Sequence, residues 1–390
     1  MTSTPSIAIV GGGAAGLSTA MYTAELGFTD IVVFEARHPA EGSSGRSAGI
    51  FNRQTNKMEE LQLRAFGGRE LDRLSTWSSF SLVRRGYVRV AKTEEHMEAY
   101  AAARALQDEL GVPGELLDQA GLAALVPGMR VDDFVGGLYG AEDGHMDGHE
   151  LCEAFRLRAV ELGAQVRNRT SVAHSEQVGS QVRLIGTDNS DLGTYDIVVN
   201  AAGPSGPLVA EALGVRQNIV NERHQICMVE FEDRPERRIP AVQTYVPGSG
   251  QESLWVRTEG PGSLLAGLHT QEIRDTGETI DPENFNEKVD MDYAEAVGEE
   301  IVSRFEGWDD LRLAGGWSGL YPVSADGRFQ IGPYHDRPNI ISVGGLGGVG
   351  LTNAPAVGRT AAEWIVNGEP TTFSFATELV PDRASLYPEG

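Results

Sequence analysis

Apolar residues are laid out in two styles along the chain. The first is a short unbroken run, Ser6-Ile-Ala-Ile-Val10, then a glycine turn at 11–16, a helical stretch over 17–26 stopped by Gly27, and a second run, Ile31-Val-Val-Phe34. Four-residue apolar runs on either side of a helix suit parallel strands covered on both faces. Longer helical patterns occupy 58–79, 93–110 and 146–162, with a strand at Tyr87-Val-Arg-Val90 and Gly163 as a C-cap. Short strands fill 165–200 and end in Asp196-Ile-Val-Val-Asn200, followed by Ala201-Ala-Gly203-Pro204. From about 217 to 315 the style changes. Strands at 225–231, 241–246, 254–258 and 263–268 lie close together, which predicts a mostly antiparallel sheet. The first style then returns, with a strand at 340–343, a glycine loop at 344–350 and a helix over 355–367. The predicted fold class is α/β plus α+β, a Rossmann-like domain interleaved with an antiparallel-sheet domain.

The first unit carries a chemical signature. Gly11, Gly13 and Gly16, with Ala14 and Ala15 between them, fit G-x-G-x-x-G. The first glycine makes the tight turn, the second lets backbone approach a pyrophosphate, and the third lets helix pack on strand. The pyrophosphate then meets the helix N-terminus, where N–H groups and the dipole favour negative charge. Glu35 ends the second strand, nineteen residues after Gly16, where its carboxylate can accept from ribose hydroxyls. Strand, glycines, helix, strand and acid together predict a dinucleotide site.

Composition narrows the partners. The net charge is −24, which argues against nucleic acid and anionic membranes. Only three of the 32 basic residues are lysine (Lys57, Lys92 and Lys288). An acidic, lysine-poor surface suits high salt, which screens its self-repulsion, and a GC-rich genome would give the same arginine bias. No apolar run reaches the length of a membrane span, and no basic-then-apolar leader precedes the first strand. Cys152 and Cys227 have neither disulfide-framework nor metal spacing, so both read as buried thiols of a cytoplasmic protein with no metal site.

Four segments in order (7–35, Asn200-Ala-Ala-Gly203, Gly316-Trp-Ser-Gly-Leu-Tyr-Pro-Val-Ser-Ala-Asp-Gly327 and 344–359) resemble the flavoenzyme family of D-amino-acid oxidase, glycine oxidase, monomeric sarcosine oxidase and the proline dehydrogenase β subunit. The resemblance covers nearly the whole chain. It implies FAD rather than NAD, and no second G-x-G-x-x-G unit is present for NAD(P). It implies cofactor contacts from the first glycine turn with Glu35, Ala36 and Arg37. Further contacts come from Arg46 and Ser47, from Ala202 and Gly203, and from Gly345, Gly347, Gly348, Val349, Gly350, Leu351 and Thr352. The implied division is a discontinuous FAD-binding domain (1–84, 145–215 and 319–390) and a substrate domain (85–144 and 216–318).

The resemblance also implies catalytic-region residues. Gly267-Leu268-His269-Thr270, followed by Ile280-Asp281-Pro282, looks like the segment carrying the active-site histidine of sarcosine-oxidase-type enzymes. A neutral imidazole there can hold or deprotonate an amine. Arg53, after Ile50-Phe51-Asn52, stands where that type has a carboxylate-binding arginine, whose fork matches a carboxylate in two bonds. Trp255 falls where relatives carry a substrate-facing tyrosine, and Tyr321 where glycine oxidase has its carboxylate-binding arginine. The departures are informative. Gly319 replaces a flavin-linking cysteine, Arg46 lies near the place of a flavin-linking histidine, and Thr352 replaces a carboxylate-binding lysine. FAD is therefore expected to be non-covalent. Leu265, four before His269, stands where sarcosine oxidase has an oxygen-activating lysine.

Together these expectations describe an FAD-dependent amine or amino-acid oxidoreductase that forms an imine by hydride transfer. The acceptor is expected to be a quinone or an electron-transfer protein rather than oxygen. A hydroxy-acid or polyol dehydrogenase, or the flavin-bearing subunit of a heteromeric proline or sarcosine dehydrogenase, are the alternatives. Homo- and hetero-oligomers are both compatible with the sequence.

Overall fold

A computed structural model describes residues 4–232, 238–244, 253–269 and 279–387. In chain order the elements that shape the site begin with β1 (Ile7–Val10), α1 (Ala14–Glu25), β2 (Ile31–Phe34), α2 (Met58–Ser75), β3 (Tyr87–Ala91) and α3 (Glu94–Glu109). Next come β4 (Gly136–Gly140), α4 (Gly148–Glu161), β5 (Ile197–Asn200), β6 (Ile219–Phe231), β7 (Ala241–Gln243), β8 (Leu254–Gly260) and β9 (Ser263–Leu268). The chain finishes with α5 (Met291–Arg304), β10 (Leu311–Ser324), β11 (Gln330–Pro333), β12 (Ile340–Gly344) and α6 (Gly350–Asn367).

The six-stranded sheet runs β11-β12-β5-β1-β2 and then Gln165–Arg167, parallel except at β11. Its strands are buried end to end, as their apolar runs demand. One face packs on α1, α4 and α6 through Leu17, Met21, Phe155, Val357 and Ala361. The other packs on a three-stranded antiparallel sheet through Val182, Leu184 and Tyr195.

The eight-stranded sheet runs β10-β6-β9-β8-β7-β3-β4 and then Glu115–Asp118. It is antiparallel except where β7 joins β3. Strand alternation gives it two unlike faces. Val88, Val242, Val256, Ala266, Cys227 and Val229 enter a core closed by Val297 and Ile301 of α5 and by the stacked pair Phe305 and Trp308. The register sets Arg89, Gln243, Trp255 and Gly267 opposite one another in one row on the reverse face.

Several boundaries differ from the reading of the sequence. β6 begins six residues before 225, because Asn221-Glu222-Arg223-His224-Gln225 is polar and gives no apolar signal. α6 begins at Gly350 rather than 355, with Pro355 inside it and Gly350, Leu351 and Thr352 in its first turn. α5 carries no sequence expectation, although Ala294, Val297 and Ile301 recur at helical spacing. The position 318/319, taken above as a domain boundary, falls within β10. Tyr245, Val246 and Thr270 lie outside the described residues.

The C-terminal segment is tied to α6 by one carboxylate. Glu363 is fully buried and accepts from the backbone N–H of Thr371 (2.7 Å) and Thr372 (2.8 Å), from Thr372 Oγ1 (2.5 Å) and from Arg359 Nε (2.7 Å). Burial alone would raise its pKa, but these donors outweigh it and hold the carboxyl below its ordinary value. A depressed folded pKa contributes stability above the ordinary carboxylate range, and that contribution is lost as pH falls. Glu363→Ala leaves buried donors unmatched and should cost about 3 kcal/mol. Urea unfolding at neutral pH checks the cost, and the deficit should narrow in acid.

Candidate functional site

Two cavities meet between the sheets. The first, of about 410 Å³, runs over the C-terminal ends of β1, β2 and β5. Its floor is the glycine turn. Gly11 has φ +116°, and a Cβ there would stand 2.4 Å from Ala201 O; a Cβ on Gly16 would stand 2.0 Å from Gly11 O. Gly16 is therefore a packing glycine beneath the cavity, while Gly11, Gly13, Ala14 and Ala15 line it. The N-cap residue of α1, Gly13, has no side chain to cap it, and the first-turn Ala14 N–H donates instead to Ser44 Oγ (3.0 Å). Glu35 is held by the N–H groups of Gly12 and Arg37, each at 2.7 Å. Its carboxylate thus stands fixed at the cavity wall.

Ala36, Arg37, Arg46, Ser47, Ala202, Gly203, Gly347, Gly348, Gly350 and Leu351 also line this cavity. Pro282, from the segment matched by resemblance, joins them, as do residues with no sequence signal: Ser43 and Ser44, the segment 170–173, and Glu283 and Phe285. Arg46 donates to Glu41 O, to Ser318 O and to Glu287 Oε1 (2.7 Å), and its guanidinium lies 5.7 Å from the Phe285 ring centre.

The second cavity, of about 390 Å³, lies against the polar face of the eight-stranded sheet. Gly345, Val349 and Thr352 line it, so the predicted cofactor set is divided between the two cavities. Ser43, Arg46, Ser47, Tyr321, Gly347 and Gly348 belong to both and mark the junction. His269, Trp255 and Tyr321, expected from sequence, line the second cavity together. The His269 backbone N–H donates to Ser253 O (3.0 Å), which fixes the end of β9. Gly267 has no room for a side chain, since a Cβ there would lie 2.9 Å from both Trp255 Nε1 and Tyr293 Oη.

A histidine the sequence reading missed stands beside His269. The His224 ring is 6.1 Å from that of His269, stacks on Tyr321 at 3.9 Å, and lies with Nε2 3.4 Å from Glu222 Oε2. Burial, and then the Glu222 charge, push the Tyr321 hydroxyl pKa up, so it stays a neutral donor.

Arg53 does not join the cavity. Its Nε donates to Asp143 Oδ1 (2.9 Å), its N–H to Asp143 Oδ2 (3.3 Å), and its Nη2 to Glu142 (3.4 Å). Asp143 is 1% exposed and needs this partner, because burial drives its pKa up while Arg53 opposes the shift. The Arg53 guanidinium, expected to clamp a carboxylate, is bonded instead to Asp143 and Glu142 in this structure. Arg64 of α2 and Arg89 of β3 are the guanidinium residues that line the cavity on that side. Leu265 is buried directly across from Arg257 of β8. Arg257 donates through Nε to Ala48 O (2.6 Å) and is ion-paired with Glu259.

Comparisons with known proteins agree with this geometry. The model of a family named DAO, described as FAD dependent oxidoreductase, matches residues 6–364. The chain is 24% identical over 390 residues to mitochondrial sarcosine dehydrogenase of Mus musculus, covering 97% of this chain and 41% of that protein. It is 24% identical over 375 residues to the mitochondrial pyruvate dehydrogenase phosphatase regulatory subunit of Mus musculus, covering 94% and 42%. The chain thus spans about two fifths of the length of these curated relatives. Among solved structures, L-proline dehydrogenase from P. horikoshii superposes with a TM-score of 0.82 at 21% identity, covering 97% of this chain and all of that one. No helix among the described residues is long and apolar enough to cross a membrane.

The first cavity fits FAD. Cβ atoms are excluded at Gly11 and Gly16, the N-cap residue Gly13 brings no side chain to the α1 N-terminus, and Glu35 is held at the cavity wall by two backbone N–H groups. Glu35→Ala should therefore lose about 1.5–3 kcal/mol of FAD binding, read as flavin retained through gel filtration. Unchanged retention would remove Glu35 from the site. With glycine at 319 and arginine at 46, acid precipitation should release free FAD into the supernatant.

Proposed function

The chain belongs to the FAD dependent oxidoreductase family, and from that premise we propose that it oxidises an amine or amino acid to an imine. The observation that carries this reading is the junction. A cavity shaped for the dinucleotide opens, past Tyr321 and Gly347-Gly348, into a second cavity carrying His269, His224, Glu222 and Trp255.

Held by the glycine turn and Glu35, FAD would supply a two-electron acceptor for a hydride from the carbon beside nitrogen, and the C=N bond left on the substrate would be open to hydrolysis by water. The chain's own residues prepare that step. An ammonium must shed a proton before its nitrogen lone pair can assist loss of hydride. His269 and the His224–Glu222 pair are the groups placed to receive it. Trp255 forms an apolar wall that excludes water from the reacting side. The uncapped first turn of α6, Gly350 to Thr352, presents backbone N–H groups to the junction, where they favour negative charge.

A second reading, a cofactor-bearing subunit that needs partner chains, is supported by the similarity to a phosphatase regulatory subunit. Turnover of an amine by the purified single chain decides between them. The reduced cysteines, Cys152 and Cys227, buried and unpaired, support a cytoplasmic setting.

The preferred acceptor is a quinone or an electron-transfer protein. Leu265 offers no charge to a developing superoxide, and the nearby Arg257 is neutralised by Glu259. Stopped-flow mixing of reduced protein with oxygenated buffer should show slow reoxidation, and Leu265→Lys should speed it. Reoxidation as fast as in true oxidases would sink this assignment.

His269→Ala should slow anaerobic flavin bleaching by the best substrate on the order of 10²–10⁴-fold, the usual weight of a positioned acid–base group, while FAD content stays intact. Bleaching at the wild-type rate would make His269 structural.

A further inference from the structure

The second cavity is electrostatically bipolar. At the β6 end stands the carboxylate of Glu222, 7% exposed, with His224 beside it. At the β3 edge stand two guanidinium residues, Arg64 and Arg89, both lining the cavity. Arg64 Nη1 and Arg89 Nη1 each lie 3.4 Å from the same acceptor, Gln54 O, so one backbone carbonyl draws the two positive groups together. Arg64 is 8% exposed, and its Nε has no hydrogen-bond partner. Burial holds its pKa below the ordinary arginine value; Glu60 opposes this and the Arg89 charge adds to it. One buried and one half-buried cation facing the same cavity gain most from an anion that reaches both.

We propose, resting on the reading of this cavity as the substrate site, that it binds a zwitterion with its carboxylate on Arg64 and Arg89 and its ammonium toward Glu222 and His224. The carboxylate site then lies between α2 and β3 rather than at Arg53. The register bears on the ligand's length. β6 and β3 are separated by β9, β8 and β7; four spacings of about 4.8 Å amount to roughly 19 Å across the sheet, and Glu222 stands four residues along β6 from the row of Arg89, roughly 13 Å more. Glutamate and arginine side chains close much of that span, and the remainder favours an ω-amino acid over an α-amino acid.

Titration calorimetry of the purified holoprotein tests this without turnover. The probes are 4-aminobutanoate, glycine and n-butylamine, the last lacking a carboxylate. Binding of 4-aminobutanoate should be at least tenfold tighter than binding of either other probe. Arg89→Gln and Arg64→Gln should each weaken it at least tenfold, Arg89→Lys should restore part of the loss, and n-butylamine should bind the variants as it binds wild type. The two positions guard against one variant failing to fold, and FAD content reports folding in each. Unchanged affinity for 4-aminobutanoate in a variant that retains FAD would overturn the proposal, as would glycine binding equally well. Failure of the oxidoreductase reading itself looks different: no amine then bleaches the flavin, whatever the calorimeter records.

Discussion

The arrangement depends on how closely α1 can approach its neighbours. Its first turn sits on the β1 turn with no space for a methyl group at Gly16, and further along a Cβ on Gly358 of α6 would lie 2.5–2.6 Å from Ser18. That second contact draws α6 against α1, so both helices pack on the same face of the six-stranded sheet. α6 in turn holds α2, where Gly67 lies beneath the Thr352 carbonyl. The consequence is positional. The N-terminus of α1 opens onto the first cavity, and that of α6 stands where the two cavities adjoin. A single added methyl at these crossings would separate the helices and open the junction.

The eight-stranded sheet supplies the rest by strict alternation. Val88, Val242, Val256 and Ala266 fill a core, so their neighbours in sequence have to face the other way. Arg89, Gln243, Trp255 and Gly267 are those neighbours. A sheet with one apolar face is thereby free to carry chemistry on the other, and no loop has to be ordered to present it. The stack of His224 on Tyr321 and the Tyr293 hydroxyl bonded to Leu268 N (2.8 Å) stiffen the polar face where β6 and β9 meet.

How much of this was legible in the sequence follows from how local each signal is. The glycine turn and Glu35 are fixed within one βαβ unit, and chain order alone places them together. His269, Trp255 and Tyr321 were found through resemblance and do share a cavity, although nothing in their own neighbourhoods announced it. The commitment of Arg53 to Asp143 was not legible, because a guanidinium's role is set by its partner and Asp143 lies ninety residues away. Arg64 and Arg89 gave no signal: one reads as an ordinary polar position on a helix, the other as the outward residue of an alternating strand. His224 was hidden by the polar run that also concealed the start of β6. Periodicity reports which face a residue takes, not what lies across from it.

The cluster of Arg53, Arg64 and Arg89 raises an energetic question that the fold answers in two ways. Guanidinium groups stay charged, so burying Arg53 and Arg64 beside the half-buried Arg89 costs desolvation and mutual repulsion. Arg53 is compensated outright by Asp143 at 2.9 Å, and this pair acts as a fixed neutral element behind the cavity. Arg64 receives the partly exposed Glu60 at 3.5 Å, together with Asn52 Oδ1 at 2.8 Å and Gln54 O at 3.4 Å. Its compensation is thus weaker than that of Arg53, and it faces the cavity while Arg53 does not. Incomplete compensation lowers stability where it occurs, and it leaves a positive potential directed at whatever enters. A protein that merely needed to bury these side chains would be served better by apolar replacements of similar volume. Retaining the charge beside a cavity, within reach of a carboxylate-bearing ligand, is the arrangement expected when binding rather than folding makes use of it.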